Sequence, residues 1–360
     1  MNIQVIRPSE LTTYLQDAWV SIQETNPLFE NPSFSPEFTL TTAKVRNDVE
    51  IGVIEMGDEP VGFFPFHRGR KNSGEPVGSL LSEFQGVILK QGIHIDAADL
   101  LKACNLNNWY FDHLIAEQPL FQPFQLVIEP SPYMDISRGY DAYIDERRGL
   151  GFSSIKDALR KRRKFEREIG PTRFEFSNRD AETFDLLLKW KREQVRMQGF
   201  SDIFRHEWVR NLMFEAWQTN TDNFAGQLST LHVGDELIAV ILCIRGKDII
   251  NAWIPTFNPE FSRYSPGLIL HLELAEFAAA AGYKSIELGR GENRMKTGLM
   301  NGQRDVALGA VDLRPVSRSI TSLWYGAREI AHSKYMRGWP LKSARKIKNL
   351  IEQSNKRLYR

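Results

Sequence analysis

Apolar and polar positions between residues 226 and 296 follow an order that predicts strands, a turn, a helix and a closing strand. Residues 227–233 and 237–244 are apolar runs on either side of Gly234, Asp235 and Glu236, a composition that predicts a hairpin. A third run, residues 249–253, reads as another short strand. The prolines at 255, 259 and 266 bar a helix until Pro266, whose fixed φ suits a first helical turn. From there Leu268, Leu272, Ala275 and Ala279 recur at helical spacing over residues 268–281. Gly282 stops that helix before a strand over residues 285–288.

The helix start carries the first chemical hint. Backbone N–H groups of a first turn lack internal partners, and the helix dipole favours an anion there. Ser265, Pro266 and Gly267 present no bulky side chain to a phosphate, and Arg263 can add a charge-assisted contact. The alternative is an ordinary helix start with Ser265 as N-cap. Downstream, Leu288, Gly289, Arg290, Gly291 and Glu292 close the last strand, with Lys296 four residues on.

Taken together, Tyr264, Ser265, Pro266 and Gly267, followed by Gly289, Arg290, Gly291 and Glu292 and by Lys296, resemble the GNAT-superfamily acyltransferases of the CelD/BcsL type. That family is associated with cellulose and exopolysaccharide synthesis and is related in architecture to the Fem-type aminoacyl transferases. The resemblance covers roughly residues 30 to 315. Met295 stands where the family prefers an aromatic before the lysine. The segment 263–268 has one glycine, unlike the superfamily's usual phosphate loop, so use of coenzyme A is implied by the resemblance alone.

The resemblance implies an α/β (α+β) fold of tandem GNAT-like domains, each a mixed twisted sheet flanked by helices, and an acyl-CoA co-substrate such as acetyl-CoA. Trp253, Ile254, Arg263, Tyr264, Ser265, Pro266, Gly267 and Leu268 are then the donor-binding residues. Glu83 and Phe84 match the family's acidic-aromatic pair in the first half, while Lys191, Gln194 and Phe204 fall on its Lys-x-x-Gln helix and following loop, bordering the acceptor pocket. Glu83 reads otherwise as a hydrophilic loop residue. Direct transfer from a thioester to an amine needs a base for the amine proton and donors for the oxyanion. Glu292 is the candidate base, with an ion pair to Arg290 or Arg294 as its alternative reading. Backbone amides of the strand at 249–253 would polarise the carbonyl, and Lys296 or Arg290 would hold an anionic group.

Length fits two modules, since 360 residues exceed one ordinary core, and 42% hydrophobic with 25% charged residues is a globular mixture. An internal echo agrees: Met56, Gly57, Asp58 and Glu59 resemble Val233, Gly234, Asp235 and Glu236 at an offset of 177. Residues 1–150 are expected to form an N-terminal GNAT-like domain, 151–315 the acyl-CoA-binding domain, and 316–360 a basic helical tail. The second domain opens with a helix carrying Lys156, Arg160, Lys161, Arg162, Arg163, Lys164 and Arg167, read either as a solvated face or as a surface for an anionic substrate. The tail holds eleven Lys and Arg against Glu329 and Glu352, giving +9 in a chain of net +1. It packs on the body, meets a membrane surface or binds nucleic acid.

Other chemistries find no pattern. The seven histidines and two cysteines show no metal-ligand spacing, so no metal is expected, and no Gly-x-Ser-x-Gly elbow occurs. His232 and His271 read as structural imidazoles. The start of the chain lacks a signal-peptide pattern, and the longest apolar run is strand-length, where a membrane helix needs about 20 residues. Cys104 and Cys243 suit a reducing compartment, so a cytoplasmic location, peripheral to the inner membrane face through the tail, is expected. The acceptor is expected to be a small molecule or glycan precursor such as an amino sugar. The competing readings are a Fem-like enzyme drawing on aminoacyl-tRNA and a catalytically silent scaffold.

Overall fold

Two hairpins of the same design anchor the two halves. In each, glycine takes the first of two loop positions with positive φ, +64° at Gly57 and +56° at Gly234, where any side chain would be strained. Met56 then pairs with Glu59, and Val233 with Glu236. The echo in the sequence is therefore an echo in backbone shape.

The computed structural model describes residues 1–149 and 153–314. The first half comprises β1 (Asn2–Ile6), α1 (Thr13–Thr25), α2 (Pro36–Val45), β2 (Val49–Met56), β3 (Glu59–Arg68), β4 (Ser73–Pro76), β5 (Ile88–Leu89), α3 (Ala97–Ala103), β6 (Asn108–Ile115), β7 (Gln125–Asp135) and α4 (Tyr140–Gly149). The second comprises α5 (Ser153–Glu168), β8 (Thr172–Asn178), α6 (Ala181–Met197), α7 (Glu207–Gln218), β9 (Ala225–Val233), β10 (Glu236–Arg245), β11 (Ile249–Phe257), α8 (Pro266–Ala280), β12 (Ser285–Glu287), α9 (Arg294–Leu299) and β13 (Gly302–Asp312). Among the described residues no helix is long and apolar enough to cross a membrane. The basic tail lies outside the described residues.

All the strands join one mixed sheet in the order β1-β2-β3-β4-β6-β13-β7-β12-β11-β10-β9-β8, with β5 on β3. The fold is thus mixed α/β, a large sheet flanked by helices. Its two halves share strands: β13, the last of the described strands, lies antiparallel between β6 and β7, and β7 also pairs with β12.

Alternation along the strands sends side chains to separate cores on the two faces. On β10, Ile241 and Cys243 face a core with α4, α5 and α8, while Val240 and Leu242 face one with α6, α7 and α2. On β3, Phe64 and Phe63 divide in the same way, Phe63 stacking on Trp19 of α1 at 4.7 Å. Helix α2 belongs to the first half in sequence yet packs on the second, with Phe38 6.2 Å from Phe224 and Lys44 bonded to Glu215. Both cysteines are buried, and burial pushes each thiol up to about 12.

Two expectations change. The strand expected over residues 249–253 continues to Phe257, through Pro255. The Asn258 N–H bonds Ile238 O, so strand periodicity puts the N–H that Pro255 lacks on the side away from β10, where it costs no ladder bond. Helix α8 is buried almost all round rather than along one stripe, with Ile269, Leu270, His271, Leu272 and Leu274 all inside.

Candidate functional site

Strand β12 is the shortest of its neighbours, and the site exists because it stops early. It runs parallel to β11 only from Ile249 opposite Ser285 to Asn251 opposite Glu287. Beyond that point β11 continues without it, and its ladder with β10 shifts register between Asn251 and Ile254. A bulge of this kind commonly re-aims backbone and side chains beside a functional site. Here the sheet opens into a cavity of about 650 Å³.

The cavity passes between the two faces. On one side its lining includes Lys161 of α5, Gly267, Leu268 and His271 of α8, and Leu288. On the other it includes Lys191 and Gln194 of α6, Trp253, Glu83 and His113. Two elements thus present the start of α8 from one face and a carboxylate from the other.

Glu83 sits in a loop that its own neighbours hold rigid. The Gln85 side chain accepts from the N–H groups of Asp112 and His113 and donates to Asp112 Oδ1 at 2.9 Å, tying the loop to β6. Trp253 Nε1 donates to Leu81 O at 2.7 Å, tying it to β11. Opposite stands Gly289, φ +77°, and Lys296 Nζ clasps its carbonyl at 2.8 Å and that of Arg290 at 2.9 Å. The loop carrying Gly289 and Gly291 is therefore held against Glu83 by the lysine that follows it.

These surroundings set the charges. Burial pushes the Glu83 carboxyl up to about 7; Lys296, Asn251 and Lys191 pull it down, and Glu287 pushes it further up. Burial lowers Lys191 to about 8 against the attraction of Glu83, and burial also holds Lys296 below its ordinary value. A carboxylate near neutrality in a cavity can take a proton and return it. Glu287, fully buried behind Asn251, is also pushed up to about 7 by burial, although Arg304 Nε donates to it at 3.2 Å.

His271 enters the site as a neutral acceptor. Its Nδ1 lies 2.6 Å from Gly267 O, and a carbonyl can only accept, so the ring proton is on Nδ1 and Nε2 carries the lone pair. Burial lowers its proton affinity, which keeps it in that form.

Of the residues expected from sequence, the cavity brings together Glu83, Lys191, Gln194, Trp253, Ser265, Gly267, Leu268, Arg290 and Lys296. Glu292 is exposed and does not line it, and Arg290 pairs with Glu129 at 3.3 Å instead of with Glu292. Phe84 and Phe204 are buried in apolar cores, and Ile254 likewise. Tyr264 is buried, its hydroxyl donating to Glu168 at 2.9 Å; Arg263 lies over its ring, and Pro266 is packed away from the cavity. Ser265 occupies the N-cap position in a left-handed conformation with no capping bond, and its hydroxyl accepts from Lys161 Nζ at 2.7 Å.

His271 and His113 are site residues the sequence reading does not place here, and Lys161 enters it only as part of the basic helix surface. His271 had a usable signal, because it follows Gly267 by one helical turn and so shares its face. His113 had none, since its place depends on β6 meeting the Glu83 loop. Among the described residues no group of three or more His, Cys, Asp or Glu is placed to hold a metal ion.

Residues 153–297 match a family model described as an acetyltransferase (GNAT) domain. Compared by sequence with curated proteins, the chain matches none. Among solved structures it is similar to FemX, with 10% identity, 89% of this chain and 100% of that chain covered, and a TM-score of 0.56. It is also similar to the C-terminal DUF2156 domain of an Agrobacterium fabrum protein described as a lysylphosphatidylglycerol synthetase, with 10% identity, coverage of 90% and 98%, and a TM-score of 0.52. L-PGS from Bacillus licheniformis gives 11% identity, coverage of 87% and 96%, and a TM-score of 0.50. At such identities the likeness is one of fold. Residues 153–297 are thus similar to a GNAT acetyltransferase domain, within a fold that the chain shares with those structures.

Proposed function

We propose that the protein is an N-acyltransferase that moves an acyl group from acyl-CoA to an amine, with an amino sugar or related precursor of envelope or exopolysaccharide synthesis, as in the CelD/BcsL type, as acceptor. The observation that carries this reading is the cavity through the sheet at the end of β12, with the start of α8 and Lys161 on one face and Glu83 on the other. A thioester donor entering from the α8 side would place its phosphates by the first-turn N–H groups and the Lys161 ammonium. An amine entering from the α6 side meets Glu83.

The reaction needs no covalent enzyme intermediate. The neutral amine nitrogen attacks the thioester carbon, a C–N bond forms, and the C–S bond breaks. Glu83 takes the proton that the nitrogen loses, and that proton leaves with the thiolate as thiol. This role passes to Glu83 from Glu292 because Glu83 lines the cavity and Glu292 does not. His271 Nε2 is a second proton acceptor on the donor side.

Isothermal titration with acetyl-CoA and longer acyl-CoAs, at two salt concentrations, tests the reading. Binding that Gly267→Glu abolishes supports it, since that carboxylate would stand where the phosphates are placed. Unchanged binding in that variant would sink the phosphate site.

One observation favours a second reading. Arg160, Arg163, Lys164 and Arg167 of α5 are exposed on the helix whose Lys161 lines the cavity, a surface suited to an aminoacyl-tRNA donor. Transfer RNA binding that weakens steeply with salt, together with no acyl-CoA binding, would move the donor to that class.

A further inference from the structure

The α6 side of the cavity brings together two ammonium groups whose N–H donors the protein does not all use. Lys191 and Lys296 both face Glu83, which is one carboxylate between two ammonium groups. Arg290 has carboxylates of its own in Glu129 and Asp112. Lys296 directs two of its three donors to the carbonyls of Gly289 and Arg290, and Lys191 directs one, at 3.0 Å, to Pro255 O. Neutral carbonyls satisfy N–H groups without cancelling charge. A partly buried cation left uncompensated is costly, and a bound anion removes that cost.

The same wall also carries unpartnered acceptors. Gln194 Oε1 and Glu83 Oε2 are shielded acceptors with no hydrogen-bond partner among the described residues. Unused ammonium N–H groups beside two empty acceptors describe their complement, a small molecule with an anionic group at one end and N–H or O–H groups at the other.

We infer that the acceptor is an amine that also bears a carboxylate or phosphate, the anion held by Lys191 and the amine directed to Glu83. Lys191 is the anion's partner because two of its three N–H groups remain to be used, against one for Lys296. The anion is the acceptor's own: Lys191 stands on α6, across the sheet from Lys161 and the start of α8 where the donor's phosphates are placed. This inference rests on the acyltransferase reading.

The test uses the full chain and lysine-specific reductive methylation mapped by peptide mass spectrometry. Millimolar inorganic phosphate is expected to slow methylation of Lys191, and CoA to slow methylation of Lys161. Phosphate that protects Lys161 alone, or neither lysine, overturns the inference. Lack of protection by CoA, with Lys191 still protected by phosphate, counts instead against the acyl-CoA reading.

With acetyl-CoA as donor, O-phosphoethanolamine is then expected to exceed ethanolamine, and glycine to exceed glycinamide, by about tenfold or more in kcat/KM, the range of one charge-assisted hydrogen bond. Lys191→Gln keeps a donor for Pro255 O and is expected to lower kcat/KM for the anionic member of each pair about tenfold more than for the neutral member, and Lys191→Arg to restore the difference. Equal loss for both members of each pair would show a structural lysine and overturn the inference.

Discussion

A Cβ placed on Gly289 would stand 2.9 Å from Glu83 Oε1, so the carboxylate occupies the space that the glycine leaves empty. Gly289 also has a φ of +77°, which side chains other than glycine's tolerate poorly. Gly289→Ala is therefore expected to cost about 1–3 kcal/mol of stability. Displacement of the base is expected to lower kcat by about a hundredfold. Denaturant unfolding and steady-state rates check the two effects separately. A variant with native stability and native kcat would show that Glu83 does not need its place.

The second expectation concerns pH. A base that burial holds at about 7 makes kcat/KM rise with pH through neutrality. Glu287 is among the groups that push Glu83 upward, so Glu287→Gln should move that rise to lower pH. Lys191, Lys296 and Asn251 act on Glu83 in the opposite direction and remain in place.

The same carboxyl pair predicts a stability slope. Both groups are raised in the folded state from 4.5 to about 7, so the folded chain binds their protons more tightly than the unfolded chain does. Their contribution is fully present below about pH 4.5 and is lost as pH rises through 7. Melting temperatures of wild type and Glu287→Gln, compared between pH 4 and 8, should converge toward low pH less steeply in the variant, whose glutamine does not titrate. Identical slopes would mean that Glu287 is not raised.

Gln85 is a positioning residue, for it touches Asp112 and His113 rather than the cavity's contents. Gln85→Leu leaves the Asp112 and His113 N–H groups without their side-chain partner and should cost about 2–3 kcal/mol. Donor affinity should hold while kcat falls, because the loop carrying Glu83 loosens and the start of α8 does not. A rise in donor KM with kcat unchanged would contradict this.

Lys161 makes the complementary case on the donor face. Lys161→Met removes the ammonium beside Ser265 and should weaken CoA binding about tenfold, with the loss shrinking as salt is raised. The pH at which kcat/KM rises should stay where it is. Titration at two ionic strengths distinguishes this from a general loss of folding.

Much of the second half was legible because its punctuation is local. Pro266 and Gly282 bracket a helix, and Gly234 with Asp235 makes a hairpin, whatever lies around them. The length of β11 was not, since Pro255 reads as a strand breaker unless its missing N–H is known to face an open side. The proposed base moves from Glu292 to Glu83 for a related reason. Position along a motif says which carboxylate is near in sequence, while burial, which gives Glu83 its proton affinity, comes from strands distant in sequence. The neighbours of β13 were equally silent: alternation over residues 302–312 marks a strand without saying that β6 and β7 flank it.

That placement of β13 has a consequence for how the protein is made. The Glu83 loop is fastened to β6 by Gln85, and β12, with Gly289 just beyond it, is fastened to β7. Among the described strands, β13 alone joins β6 to β7. During synthesis the two halves of the cavity emerge in turn, with two strand edges open until the residues from Gly302 appear, on the order of ten seconds after β7 at ordinary elongation rates. Such edges attract stray pairing, so this interval is when the nascent chain is most exposed to misassembly. Active protein and the risk of aggregation are thus decided by the same late event.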